Sequence, residues 1–319
     1  MKSNKKIVEN TIKKIVTIIM LTAGLTAFLS ACSTSSSVSS TEGKKNSFVI
    51  VYVPQENEKQ AQKLHKDFEE KIANELGAKV EVHQVTSFNA AIEAMRNKKV
   101  DMALFGPFSY IVAEERADAE AIALLSSPDA STESPSVIVV QKDSKIRTVE
   151  DLNGKTMGFS EPVSTTGHLL PKYTILKQLR ISVEQLEQDG QFFKNIHFAG
   201  GHDKALLGVV RGQYDAAGVS AHAPVIMVEK GIIEKDSYRV IAEAEPIHTG
   251  GVFAVRKDLD QEIKDRVQAF LLTYNNPDYF KALVGAADAI FIEANDDDFY
   301  KIREIADILN LTPEQLLKE

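Results

Sequence analysis

Apolar and polar positions along this chain alternate between two periods. Phe48-Val-Ile-Val-Tyr-Val53 is a β-rich run stopped by Pro54. A helical pattern follows through Leu64, Phe68 and Ile72 to Leu76 and ends at Gly77. Lys79–Gln84 alternates as a strand does, and Ser87 is placed to cap a helix through Ile92 and Met95. Val100–Phe105 reads as a short buried strand, with a helix starting near Pro107 because proline suits the first helical turn. This strand–helix alternation predicts a parallel sheet.

Ser126–Ser136 is a polar break holding Pro128 and Pro135, after which the alternation resumes. Strands are predicted at Val137–Gln141, Thr156–Phe159 and Ile196–Phe198, with a helix from Ser164 through Tyr173, Leu176 and Leu179. Val209–Val219 reads as a helix end, a turn and a strand. Short strands at Val240–Ile241 and Val252–Val255 flank Glu245–Gly251, and the rest to Glu319 reads as mostly helical. Two α/β units thus follow one another, and a return segment brings the chain back. Asp101 and Asp215 occupy similar settings, each where a helix ends and a strand begins.

The start of the chain does not fit this pattern. Five lysines up to Lys14 precede an apolar run from Ile15 to Leu29, and Leu29-Ser-Ala-Cys32 follows. A basic head, a short apolar core and small residues describe an export signal over 1–31. The run is short for a membrane span and is broken by Thr17, Thr22, Gly24 and Thr26. Leu-Ser-Ala-Cys is similar to a bacterial lipobox, which gives the single cysteine, Cys32, a role as the lipidated anchor to the extracytoplasmic face of the cell membrane. The serine-rich 32–46 stretch reads as a tether. Removing 1–31 takes away five lysines and one glutamate and moves the net charge from −8 to about −12. So acidic a body argues against nucleic acid as a partner.

Candidate chemistry lies in three segments rich in small and hydroxyl residues at helix starts: Phe105-Gly-Pro-Phe-Ser-Tyr110, Ser164-Thr-Thr-Gly-His168 and Ala199-Gly-Gly-His-Asp203. A helix N-terminus offers unpaired N–H groups and a positive dipole end, which suits a small oxyanion. Each segment also has a purely structural reading, as a cap or a turn. His168, His202, His222 and His248 come from four separate segments without ligand spacing, so no metal or other cofactor is expected. Ser164 with His168 and an aspartate suggests a hydrolase on paper, but the chain has no Gly-x-Ser-x-Gly elbow, P-loop or dinucleotide fingerprint.

Together with Tyr52-Val-Pro54, Val139-Val-Gln-Lys-Asp-Ser144, Asp151-Leu-Asn-Gly-Lys155 and Gly212-Gln-Tyr-Asp215, these segments resemble, in order and spacing, the phosphonate, phosphite and phosphate binding proteins of ABC importers, the PhnD-like family. The resemblance implies an α/β type II periplasmic-binding-protein fold. Two lobes, 47–135 plus 249–319 and 136–248, would be joined by two crossovers around a ligand cleft. It implies a substrate-binding subunit for a phosphorus oxyanion, with a permease and an ATPase as partners and no catalysis. The alternative is a lipid-anchored enzyme on the same fold acting on a phosphorylated small molecule. By motif match the anion shell would hold Ser164, Thr165, Thr166 and His202, with His168 beside them and Tyr52 and Tyr110 from the other lobe. Tyr52 and Tyr110 each have a packing alternative. Asp203 or Asp215 would accept a P–OH proton, although Asp215 also reads as a turn cap. Members that take aminoalkylphosphonates place carboxylates near the ligand amine, whereas this chain has Ser220-Ala-His222 and His248-Thr-Gly-Gly251 at those places. Phosphite, phosphate or a small alkylphosphonate is therefore expected over an amino compound.

Overall fold

The computed structural model describes residues 47–52, 58–127, 136–245, 247, 250–284 and 286–317. The export signal, Cys32, the tether and the 248–249 pair lie outside the described residues. In chain order the elements run β1 (Ser47–Tyr52), α1 (Glu58–Leu76), β2 (Lys79–Gln84), α2 (Phe88–Arg96), β3 (Met102–Phe105), α3 (Pro107–Ala117) and β4 (Ala119–Ser126). The second unit follows with β5 (Ser136–Gln141), β6 (Thr156–Phe159), a π-helical turn (Thr165–Leu169) continuing into α4 (Leu170–Leu179), α5 (Val183–Glu187) and β7 (Asn195–Phe198). It ends with α6 (His202–Val210), β8 (Ala216–Ser220), α7 (His222–Glu229) and β9 (Tyr238–Glu243). The return supplies β10 (Val252–Arg256), α8 (Gln261–Thr273), α9 (Pro277–Val284), β11 (Ile290–Ile292), α10 (Tyr300–Ile308) and α11 (Pro313–Leu316).

These strands form two sheets of related topology. The first has the order β11-β4-β10-β3-β1-β2 and the second β7-β6-β8-β5-β9. Each has a parallel trio, β2-β1-β3 or β7-β6-β8, flanked by one antiparallel strand, β10 or β5. Each flanking strand follows a passage of the chain from one sheet to the other. This is the two-lobed α/β architecture of the type II fold.

Burial on both faces explains the unbroken apolar runs of the central strands. Val49 and Val51 of β1 pack with Ile92 and Met95 of α2 and Ile111 of α3, while Phe48, Ile50 and Tyr52 face Phe68 and Ile72 of α1 and Val267 of α8. In the second sheet Ile138 and Val140 face Phe159 and Ile175, and Val137 and Val139 face Leu206 and Met227. Two elements depart from the sequence reading. Ala119–Ser126 is a full strand between β10 and β11, and Ile290–Ile292 is a strand inside a region expected to be mostly helical.

The expected equivalence of Asp101 and Asp215 has a structural cause. Asp101 accepts the Val49 N–H through its carboxylate at 2.8 Å and donates its own N–H to Val49 O at 2.8 Å. Asp215 does the same with Thr156, at 2.8 and 3.0 Å. Each aspartate thereby ties the start of the third parallel strand to the start of the first. Asp101 is buried and also accepts from Arg256 at 2.8 Å, whereas the Asp215 contact is exposed. Asp101→Ala, which removes the buried partner of Arg256, is expected to cost about 3 kcal/mol of stability in urea unfolding. Asp215→Ala is expected to cost about 1 kcal/mol. Equal losses would contradict this account.

Candidate functional site

The carboxyl ends of β6 and β8 open onto the three segments singled out from the sequence, and this is where open α/β sheets place their ligands. Gly200 and Gly201 lead into α6 with φ of +79° and +151°, values that favour glycine and turn the chain so that His202 begins the helix. Their N–H groups donate to Ser160 O at 2.8 and 3.1 Å, tying the start of α6 to the end of β6. Gly167 closes the corner. A Cβ built there would lie 1.5 Å from Ser160 Oγ and 2.8 Å from His202 Cε1, so only glycine lets the π-helical turn approach these two side chains.

The donors at this corner are neutral and aligned. Ser220 N–H donates to His202 Nδ1 at 3.1 Å, which puts the single proton of a neutral imidazole on Nε2. Burial lowers the His202 pKa to about 4, with Asp203 pulling the other way, so the ring is neutral at physiological pH. Ser164 caps the π-helical turn by accepting from Gly167 N–H at 3.0 Å, and Thr165 Oγ1 accepts from Phe108 N–H at 3.0 Å. Both hydroxyls have an acceptor lone pair engaged and their own proton uncommitted among the described residues. Ser160 Oγ is buried and has no hydrogen-bond partner among the described residues. Among the described residues, the protons of the Ser160, Ser164 and Thr165 hydroxyls and of His202 Nε2 therefore have no acceptor.

The same stretch bridges the two lobes. Thr165 reaches the start of α3, where a Cβ on Gly106 would stand 3.2 Å from its hydroxyl. Glu161 is buried and accepts from Phe88 N–H at 2.9 Å, at the start of α2. Burial raises the Glu161 pKa, opposed by the Phe88 N–H and by Lys204. Val163 and Leu169 pack into the first lobe's core beside Ile111 and Phe105. Two helix N-termini of one lobe are thus capped by side chains of the other, a favourable use of their unpaired N–H groups.

The structure does not bring all nine expected residues together. Ser164 and His202 both lie against Gly167, and Thr165, in the same turn, sets its hydroxyl against the start of α3. Thr166, half-buried in that turn, accepts from Ser136 Oγ through its carbonyl at 2.6 Å. Asp203 lies in the first turn of α6 with its carboxylate against Gly201. Tyr110 sits on α3 but points into its own lobe. Its hydroxyl donates to Glu114 at 2.9 Å and its ring packs 4.5 Å from Phe299. Tyr52 stacks on His65 at 3.8 Å within the α1 layer, where its hydroxyl, that of Tyr279 and His65 Nδ1 are all buried without a hydrogen bond of normal geometry among the described residues. Asp215 stands at the amino end of β8, opposite the end that carries Ser220. His168 is wholly buried between Pro162 O at 2.6 Å and Lys172 Nζ at 3.1 Å. This arrangement keeps His168 from acting as a base for Ser164. Sequence reasoning missed Ser160, Glu161 and Lys172. The one signal for Lys172 was its place four residues after His168, on the same helical face.

Comparison with known proteins returns a consistent set. The family model described as "ABC transporter, phosphonate, periplasmic substrate-binding protein" matches residues 50–299. The chain is 27% identical over 246 residues to the phosphate-import protein PhnD of Mycolicibacterium smegmatis, covering 75% of this chain and 76% of that protein. It is 29% identical over 252 residues to the phosphonates-binding periplasmic protein of Escherichia coli, covering 75% and 70%. Its fold is similar to that of PhnD1 from Prochlorococcus marinus solved with methylphosphonate. The TM-score there is 0.69 at 21% identity, over 83% of this chain and 98% of that one.

Three desolvated imidazoles, those of the buried His65 and His168 and the half-buried His202, make stability depend on pH. Burial lowers the pKa of His65 and of His202 to about 4, and burial with the Lys172 charge holds His168 well below its ordinary value. Between the unfolded value of about 6.5 and these folded values the unfolded chain binds more protons, so stability falls as pH drops. His65→Phe is expected to reduce the slope of unfolding free energy between pH 4 and 6.5 by up to about 1.4 kcal/mol per pH unit. An unchanged slope would contradict the buried neutral state of His65.

Proposed function

We infer the function from one premise: this chain belongs to the phosphonate family of periplasmic substrate-binding proteins of ABC transporters. It is the substrate-binding component of an importer, works outside the cytoplasmic compartment with permease and ATPase subunits, and is not an enzyme. The finer reading proposed here is a receptor for phosphite, phosphate or a small alkylphosphonate, tethered to the membrane by acylated Cys32. None of the helices among the described residues is long and apolar enough to cross a membrane. The lipid on Cys32 would supply the attachment.

The uncommitted protons at the Gly167 corner carry the ligand reading. A phosphorus oxyanion presents acceptors in a tetrahedral array. Ser160, Ser164, Thr165 and His202 present donors from two segments of chain, and Thr166 stands in the same turn. Ser164 and Thr165 each accept from a backbone N–H, which polarises their own O–H toward an anion. The starts of α6 and of the π-helical turn add positive dipole ends. No lysine or arginine is needed to hold the charge, which is how an anion can be kept inside a protein of net charge about −12. Asp203 is the proposed acceptor for a P–OH proton and would disfavour sulfate, which has no proton to offer at neutral pH. Relatives named for phosphate, phosphonate and methylphosphonate support this substrate class. A cleft that closes around the ligand favours the closed state only by its differential affinity for that state.

Isothermal titration of the chain with phosphite, phosphate, methylphosphonate and 2-aminoethylphosphonate tests the reading. One of the first three is expected to bind most tightly, and tightest binding to the amino compound would refute it. His202→Ala is expected to weaken that binding by about tenfold to a hundredfold, the worth of a hydrogen bond to a charged group. His83→Ala, on the exposed β2, is expected to leave it unchanged. Equal losses in the two variants would remove His202 from the shell.

A further inference from the structure

His168 and Lys172 lie just behind the donor corner, and the reading above gives them no role. Both are almost wholly enclosed, with exposures of 1% and 2%. Lys172 Nζ pairs with the half-exposed Glu187 and stands 3.1 Å from His168 Nε2. An ammonium has only donors, so Nε2 must accept, and the ring's one proton must lie on Nδ1. That nitrogen is 2.6 Å from Pro162 O. The ring plane is fixed from the sides by Phe159 and Phe198, edge-on at 4.9 and 5.0 Å. Among the described residues the charged groups facing His168 are Lys172 and, beyond that ammonium, Glu187.

Pro162 sits in the middle of the five residues between β6 and the π-helical turn. It has no N–H, so its carbonyl is the only backbone hydrogen-bonding group by which this point can be held. On either side, Ser160 N–H donates to Gly167 O at 3.1 Å and Ser164 N–H donates to Glu161 O at 3.1 Å. The His168 contact is the tie made at Pro162 itself, in the middle of the segment that presents Ser160, Ser164 and Thr165.

We propose that Lys172 and His168 are positioning residues acting in series: Lys172, donating to Nε2, holds the His168 ring in place, and His168, donating from Nδ1, holds the Pro162 carbonyl and with it the donor-bearing loop. The proposal rests on the oxyanion reading for its purpose, but the relay itself is testable without a ligand. Burial and the Lys172 charge keep His168 neutral, so its tautomer persists across physiological pH. Partners one step removed from a binding group commonly set its orientation in this way.

The test uses Lys172→Met, which keeps length and removes charge and donors, and His168→Phe, which keeps the aromatic packing and removes the bond to Pro162. Long-range proton–nitrogen spectra of the unmutated chain are expected to show His168 as a neutral Nδ1–H ring from pH 5 to pH 8. In Lys172→Met the Nε2 resonance is expected to shift as it loses its donor, with the Nδ1–H bond to Pro162 weakened. Amide exchange at residues 164–169 is expected to rise about tenfold in each variant and no further in the double variant, because the two act in series. Methylphosphonate affinity is expected to fall about tenfold in each. An Nε2–H ring in the unmutated chain, unchanged exchange in both single variants, or additive effects in the double would overturn the relay. If the unmutated chain binds none of phosphite, phosphate and methylphosphonate, the oxyanion reading fails, and the tautomer and exchange results still decide the relay.

Discussion

The hydrogen bond from Ser220 N–H to His202 Nδ1 decides which way the imidazole proton points. With Nδ1 engaged as acceptor, a neutral ring carries its one proton on Nε2, and Cε1 of the same ring lies against Gly167. Burial keeps the ring neutral, so the corner holds donors without a formal cation. The arrangement reaches back into the fold. Ser220 ends β8, His202 starts α6, and the Asp215–Thr156 clamp aligns β8 with β6 at the other end of the sheet. A chain that is strongly acidic overall repels anions at long range, so capture must come from oriented dipoles at contact distance.

That corner also joins the lobes. Glu161 and Thr165 extend from the second lobe and cap α2 and α3 of the first. On the proposed reading, binding and closure would be coupled through the same six residues, Ser160 to Thr165. A ligand that draws on the Thr165 proton does so while the Thr165 oxygen holds Phe108 N–H. Each of these bonds polarises the other, so occupancy of the corner and contact between lobes reinforce one another. A movement that separated the lobes would expose two helix N-termini and the apolar Val163 to water at once.

Much of this was legible in the sequence, for identifiable reasons. Strands such as β1 and β3 are buried on both faces and so read as unbroken apolar runs. Ser87 announced its helix because it caps it, accepting from Ala90 N–H at 3.1 Å. The Asp101–Asp215 equivalence was visible because the same local clamp needs the same residue twice. Ala119–Ser126 was not legible, since its alanines and Glu120 favour a helix as much as a strand and only pairing with β10 and β11 makes it one. Alternation correctly set Tyr52 opposite Val51, but which face meets a helix layer is decided by tertiary packing. His168 looked like part of the shell because it follows Gly167. Its actual environment depends on Glu187, nineteen residues later and on another helix.

The most direct measurement is a crystal structure of the chain with phosphite or methylphosphonate bound. The account expects one anion oxygen within about 3 Å of His202 Nε2 and others on the Ser160, Ser164 and Thr165 hydroxyls, without a lysine or arginine in the shell. An anion held by a cationic side chain elsewhere, with His202 Nε2 turned away from it, would contradict the account.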